Sequence, residues 1–191
     1  MFGITRFLAV AVAALVLLGG CMSPNGDTTQ DKRQAIHKMK SETLAKLYLL
    51  EPGAKAQIQG AVGYAVFSNV GVNLILLSAG SGYGVVEHRG SSAETYMKMV
   101  TGGIGIGLGV KDFRGVFVFT TEAALKGFIE NGWDASAQAD AAAKAGEKGG
   151  AWAGAVDVAP GIKLYQITEH GLALQATIQG TKYWKADDLN S

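Results

Sequence analysis

The chain has 191 residues, 48% of them hydrophobic and 17% charged, with a formal net charge of +1. It is too apolar and too sparsely charged for a disordered chain. The balance of 17 basic against 16 acidic residues argues against a nucleic-acid-binding domain, whose surface should be strongly basic.

In chain order, the first feature is an export signal. Arg6 supplies a positive start, Phe7 to Leu18 is apolar, and Gly19-Gly20-Cys21 follows. The apolar run falls short of the roughly 20 residues a membrane helix needs. Cys21 is the sole cysteine, and Leu18-Gly19-Gly20-Cys21 resembles the lipobox of bacterial lipoproteins. In that class the cysteine becomes the acylated N-terminus, carrying palmitate-type chains. The alternative is a plain secretory signal with an incidental cysteine. Acylation makes the expected state anchored rather than spanning. The resulting organisation is a signal peptide over 1–20, a flexible tether over 21–30 and one domain over 31–191. Met22 and Ser23 lack the aspartate of inner-membrane retention, so the expected address is the outer membrane, facing the periplasm, with the cell surface as a further address. An acylated Cys21 leaves no disulfide to stabilise the fold. Losing Arg6 with the signal brings the formal charge to about zero.

The tether, Ser23 to Gln30, is polar and turn-rich. From Asp31 to Leu50, Ile36, Met39, Thr43, Leu47 and Leu50 recur at three- and four-residue spacing, which predicts a helix with one apolar stripe. Lys32, Arg33, Lys38, Lys40 and Lys46 make it basic, against Asp31 and Glu42. Such a helix either lies on anionic headgroups or packs its stripe on the domain with its lysines solvated. Glu51-Pro52-Gly53 ends or kinks it.

The rest reads mainly as strands. Gly63 to Phe67 is a short strand ended by Ser68-Asn69, and Val72 to Leu77 is an apolar run. Gly80, Gly82 and Gly84 alternate, as do Gly103, Gly105, Gly107 and Gly109 with Ile104, Ile106, Leu108 and Val110. In a strand such spacing leaves one face without side chains. That face admits either a packed neighbouring element or a ligand such as an acyl chain. Neither array fits G-x-G-x-x-G, and no Gly-Lys-Ser/Thr follows, so a nucleotide site is not indicated. Val116 to Phe119 is a strand, Ala123 to Glu130 a helix closed by Asn131-Gly132, and Gly161 to Ile167 and Leu172 to Ile178 are late strands joined as a hairpin. Between Asp134 and Ala145 alanine content favours helix, whereas alternation of alanine with polar residues favours strand.

Several ordered blocks together resemble the SYLF domain family, also called the yeast-type actin-binding family. They are Gly63-Tyr64-Ala65-Val66-Phe67-Ser68-Asn69-Val70, the glycines at 80–84 and 102–109, Val118-Phe119-Thr120-Thr121-Glu122-Ala123-Ala124-Leu125 with Phe128 and Gly132-Trp133, and Gly171-Leu172 with Gly180-Thr181-Lys182. The likeness covers about Ser41 to Lys185. It implies an α+β domain with a strongly curved antiparallel sheet, barrel- or sandwich-like, and a few packed helices. It also implies a strand in the alanine segment, which we adopt. Eukaryotic members of the family bind phosphoinositides, partly through a basic N-terminal amphipathic helix, and the yeast members also bind actin. Two departures bear on this chain. Ser68 replaces the usual proline, and Gly71-Val72-Asn73-Leu74-Ile75 lacks the lysine and aromatic many members carry there. The expected ligand is therefore an anionic glycerophospholipid, and actin has no claim in a periplasm.

Catalysis is not indicated. His37, His88 and His170 lack ligand-spaced partners and read as surface residues, and no H-E-x-x-H or G-x-S-x-G occurs. Asp187-Asp188 reads as a solvated tail. The expectation is a non-enzymatic lipid-binding lipoprotein with no cofactor and no metal, and a phospholipid membrane as partner. Cys21 would be the anchor, with Lys32, Arg33, Lys38, Lys40 and Lys46 at headgroups and Gly103, Gly105, Gly107 and Gly109 as a close-approach or acyl face. The alternative is a structural lipoprotein that binds an envelope protein.

Overall fold

The computed structural model describes residues 24–134, 153–168, 171–173 and 180–191, with backbone alone over 71–78 and 103–112. Helix α1 spans Thr29–Leu50. Thr28 caps it from an extended conformation: its hydroxyl oxygen accepts from the Asp31 amide at 3.1 Å, and its own amide donates to the Asp31 carboxylate at 3.1 Å. This reciprocal pair starts the helix two residues before the apolar periodicity does. The expected tether thus loses Thr29 and Gln30 to α1, and Pro24 is buried. Ile36, Met39, Thr43 and Leu47 are buried, but Leu50 is 41% exposed, so the stripe ends one turn earlier than expected.

Helix α2, Gly53–Gly60, buries Ala54 and Ile58. No helix is expected here from the sequence, because Ala54, Ala56 and Ile58 between terminal glycines alternate rather than follow a helical period.

Two long strands follow, β1 over Gly63–His88 and β2 over Ala93–Phe119. They pair antiparallel from Gly63↔Phe119 to His88↔Ala93, with one irregularity between Ile75 and Leu77. The expected stop at Ser68-Asn69 is absent: Ser68 pairs with Arg114 and Asn69 with Phe113. Asn69 is buried, and its side-chain oxygen accepts from the Thr101 hydroxyl at 2.8 Å. A residue with turn propensity is held in a strand because its amide oxygen finds a partner on β2.

The two ends of β1 lie against each other. A Cβ on Gly82 would run into the Ser68 carbonyl, one on Gly84 into the Val66 carbonyl and the Phe67 ring, and one on Gly63 into the Glu87 carbonyl. The Arg89 amide donates to the Val62 carbonyl at 3.0 Å, tying the arms at their ends. The bare face formed by the glycines at 80–84 is therefore filled by the strand's own backbone at 82 and 84 and by the Asn69 and Thr101 side chains at 80.

Helix α3, Glu122–Glu130, is capped by Thr121 and followed by Gly132 at φ 68° and the short strand β3, Trp133–Asp134. Strands β4 (Val156–Ala159), β5 (Ile162–Thr168), β6 (Gly171–Ala173) and β7 (Thr181–Lys185) and the terminal helix α4 (Asp187–Asn190) complete the described elements. Every described pairing is antiparallel, in the order β3-β7-β2-β5-β4 with β1 on β2 and β6 on β5. One margin of β2 carries β1, while the other carries β7 along 97–101 and β5 along 114–119. The result is the expected α+β fold, a curled antiparallel sheet with packed helices. The β5–β6 hairpin is present, with Thr168 opposite Gly171. Residues 135–145 of the alanine segment, most of the expected strand to Ile178 and His170 lie outside the described residues.

Alternate residues of the sheet feed two cores. Inside the curl, Phe67, Phe117, Phe119, Phe128, Trp133 and Tyr183 pack mostly edge to face or tilted, the Phe67–Tyr183 centroids being 4.8 Å apart. Outside, Tyr64, Val66, Val116, Val118, Tyr165 and Ile167 lie under α1 and α2.

Gly84→Ala is expected to cost about 1–3 kcal/mol, since its new methyl meets backbone that cannot yield. Gly102→Ala, whose Cβ meets nothing within 4 Å, should stay within about 0.5 kcal/mol of the parent. Urea unfolding of the two variants checks both.

Candidate functional site

Helix α1 is the element on which the sequence concentrates positive charge, and the fold divides that charge in two. The flank bearing Arg33, His37 and Lys40 faces the domain. The Arg33 Nε donates to the Leu189 carbonyl and its Nη2 to the Ser191 carbonyl, each at 2.9 Å, with the guanidinium 5.4 Å from the Tyr96 ring centroid. Lys40 Nζ donates to Glu87 Oε2 and Glu94 Oε1, both at 3.0 Å. The Tyr64 hydroxyl donates to Glu87 Oε2 at 2.6 Å. His37 Nε2 lies 2.9 Å from the Tyr96 hydroxyl and 3.2 Å from Glu94 Oε2.

This cluster is partly buried, and its charges are matched. Burial works to raise the Glu87 carboxyl, but the Tyr64 and Lys40 hydrogen bonds outweigh it and hold the group below the ordinary value of 4.5. Burial likewise works to lower Lys40, and its two glutamates more than offset it. The Tyr64 hydroxyl is raised, first by burial and then by donating to Glu87. Chemically the arrangement is a clamp that holds α1 on the sheet, because Lys40 bridges two carboxylates and Arg33 is held by backbone carbonyls.

The remaining basic residues face differently. Lys38 is exposed, on the side of α1 opposite the buried stripe. Lys46 is exposed and reaches the Thr168 carbonyl at 3.1 Å. Lys32 is half-buried and acts, after Lys98, to lower the Asp188 carboxyl. The five expected headgroup residues therefore do not form one patch: Arg33 and Lys40 are internal ties, Lys46 is an exposed flank residue tied to the Thr168 carbonyl, and Lys38 faces outward.

Other expectations resolve as follows. Gly103, Gly107 and Gly109 stand opposite Ser78, Ile75 and Asn73 in the β1–β2 ladder, and Gly105 lies at its irregularity. What covers that face lies outside the described side chains, and Cys21 lies outside the described residues. The histidines are not isolated, as the sequence suggested. His37 meets Glu94, and His88 sits between Ser91 Oγ at 2.6 Å and Glu122 Oε1 at 3.0 Å. The His88 string closes an exposed turn, since the Ser91 amide also donates to His88 Nδ1, at 3.2 Å. Among the described residues no group of three or more His, Cys, Asp or Glu side chains is placed to hold a metal.

Asp187-Asp188 is not a solvated tail. Asp188 pairs with Lys98 at 2.7 Å, Leu189 is buried, and Asn190 exchanges hydrogen bonds with the Tyr96 backbone at 3.0 and 2.8 Å. No periodicity or motif in the last residues signals this docking. Its partners are more than ninety positions away in sequence.

No family model matches the chain. Over 167 residues, 86% of the chain, it is 35% identical to Beta cell expansion factor A of Aeromonas veronii. The match spans 61% of that longer protein.

Because the folded Glu87 pKa is depressed, its contribution to stability is present above about pH 4.5 and is lost as pH falls through the folded value. Glu87→Gln should remove about 1 kcal/mol at pH 7, allowing for its partial exposure to solvent. It should also flatten the acid limb of stability. Urea titrations from pH 3 to pH 7 on parent and variant measure both effects.

Proposed function

We propose that the chain is a non-catalytic, SYLF-like lipid-binding domain of an exported lipoprotein, held at the cell envelope by acylated Cys21 and oriented on anionic phospholipid by the outer face of α1. The observation that carries this reading is the exposure of Lys38 on the outer face, and of Lys46 on the flank, of a helix clamped to the sheet. The helix begins only eight residues after Cys21. Because its apolar stripe is buried in the domain, α1 does not lie on a bilayer by that stripe, and only its opposite face is offered. Among the described residues no helix is long and apolar enough to cross a membrane.

Magnitudes assign the roles. A lysine at an anionic surface contributes about 1 kcal/mol. Even three of them supply about 3 kcal/mol, less than the roughly 4 kcal/mol of millimolar binding. The lysines therefore orient, and the acyl chains hold. Arg33 and Lys40 are withdrawn from the headgroup set, since moving either outward breaks a clamp.

A second reading, in which the domain acts through a protein partner, draws on the name of the Aeromonas relative, an expansion factor for beta cells. In that case purified protein ignores lipid.

The processed chain, residues 21–191 with Cys21→Ser, should float with anionic vesicles, weakly and only at low salt, and should ignore neutral ones. Lys38→Glu with Lys46→Glu should weaken that binding about tenfold or more. Equal binding to neutral vesicles, or none to either, would sink the headgroup role. Separately, the parent should incorporate labelled palmitate and sediment with membranes, and Cys21→Ser should abolish both.

A further inference from the structure

Electrostatics alone leaves the membrane contact weak, and the surface next to the outward lysines holds an apolar feature the sequence reading did not use. Leu49 is 85% exposed and Leu50 41% exposed, at the last turn of α1 where the chain bends through Pro52 into α2. Among the described residues Leu49 is the most exposed large apolar side chain. Two adjacent leucines at a helix corner do nothing for either core, since the buried stripe of α1 ends at Leu47.

The surroundings indicate what covers them. Lys46 and Lys55 are exposed on either side of the corner. Glu51, the carboxylate next to the leucines, is turned inward: its Oε1 accepts from the Gly53 amide at 3.2 Å, and its charge helps burial raise the Tyr165 hydroxyl to about 12. The corner thus presents leucines flanked by lysines with the neighbouring acid turned away, which complements an anionic bilayer with its acidic headgroups above an apolar interior. Position agrees as well. Lys38 and Leu49 lie about three turns apart on one side of α1, so a surface that touches one touches the other.

We propose that the α1–α2 corner is an apolar wedge, in which Leu49 and Leu50 enter the acyl region of an anionic bilayer while Lys46 and Lys55 contact headgroup phosphates. The wedge rests on the membrane reading given above and adds to it the group that penetrates. It places α1 along the bilayer plane, with Lys38 and the corner engaged together, the acid between them, Glu42, being paired with Arg114 at 3.6 Å.

The test uses the same processed chain, residues 21–191 with Cys21→Ser, which has no other cysteine, with Leu49→Cys or Lys38→Cys carrying an environment-sensitive nitrobenzoxadiazole label. The vesicles contain phosphatidylethanolamine and phosphatidylglycerol. On binding, the label at position 49 should brighten, shift to the blue and be quenched by a spin label deep in the acyl chains, while the label at position 38 should not be quenched. Leu49→Ser, at the 85% exposed position, should keep the parent's melting temperature and lower partitioning roughly tenfold. If the protein floats but the label at 49 stays aqueous, the wedge is wrong and the headgroup reading stands. If nothing floats, both fall. If the label shifts with protein concentration in the absence of vesicles, a second copy covers the corner and the wedge is overturned.

Discussion

Backbone lying directly on backbone is the closest approach two chain segments can make, and β1 makes it with itself. The glycines at 82 and 84 put hydrogen where any other residue would put carbon, and the carbonyls of Ser68 and Val66 occupy that space. Everything else in the fold follows from this contact. It brings the two ends of a 26-residue strand together, so β2, paired along its length, is bent with it. The bent β2 offers two separated stretches of its second margin, and β7 and β5 take one each. A curled sheet has an inside and an outside, and alternation then divides one set of strands between two apolar cores.

The outer core decides what the basic helix is free to do. With Ile36, Met39 and Leu47 committed to the sheet, α1 has a fixed rotation about its own axis. That rotation sends Arg33 and Lys40 to acceptors in the domain and leaves Lys38 on the far side. Lys40 between Glu87 and Glu94 is less a source of attraction for lipid than a lock on the helix, since withdrawing it leaves two part-buried carboxylates without their cation. A clamped helix is also a better platform for a membrane contact than a loose one. Its outward side chains keep a fixed spacing, and little conformational freedom is lost on docking.

Within the proposed function, three physical contributions are separated along the chain. Acyl chains at Cys21 supply affinity, lysines on the outer face of α1 supply preference for negative charge, and the leucine corner supplies depth. Neither the lysines nor the leucines suffice without the acyl chains, and their placement along one helix and its tether lets a single surface use all three.

The sequence by itself determined the local elements. The period of α1, the helix opened by Thr121 and closed by Gly132, and the alternation of the strands all depend on neighbours a few residues apart. It also pointed to the glycines at 80–84 as a bare face open to close packing. Tertiary structure alone decided which element filled that face, that Ser68 and Asn69 continue a strand, that the last residues dock through Asn190, and which cations of α1 face outward. These outcomes depend on partners tens to more than a hundred and fifty positions away, whose hydrogen bonds and charges override local preference. The exposed leucines belong to the same class: only the rotation of α1 on its core shows that Leu47 is inside and Leu49 is not.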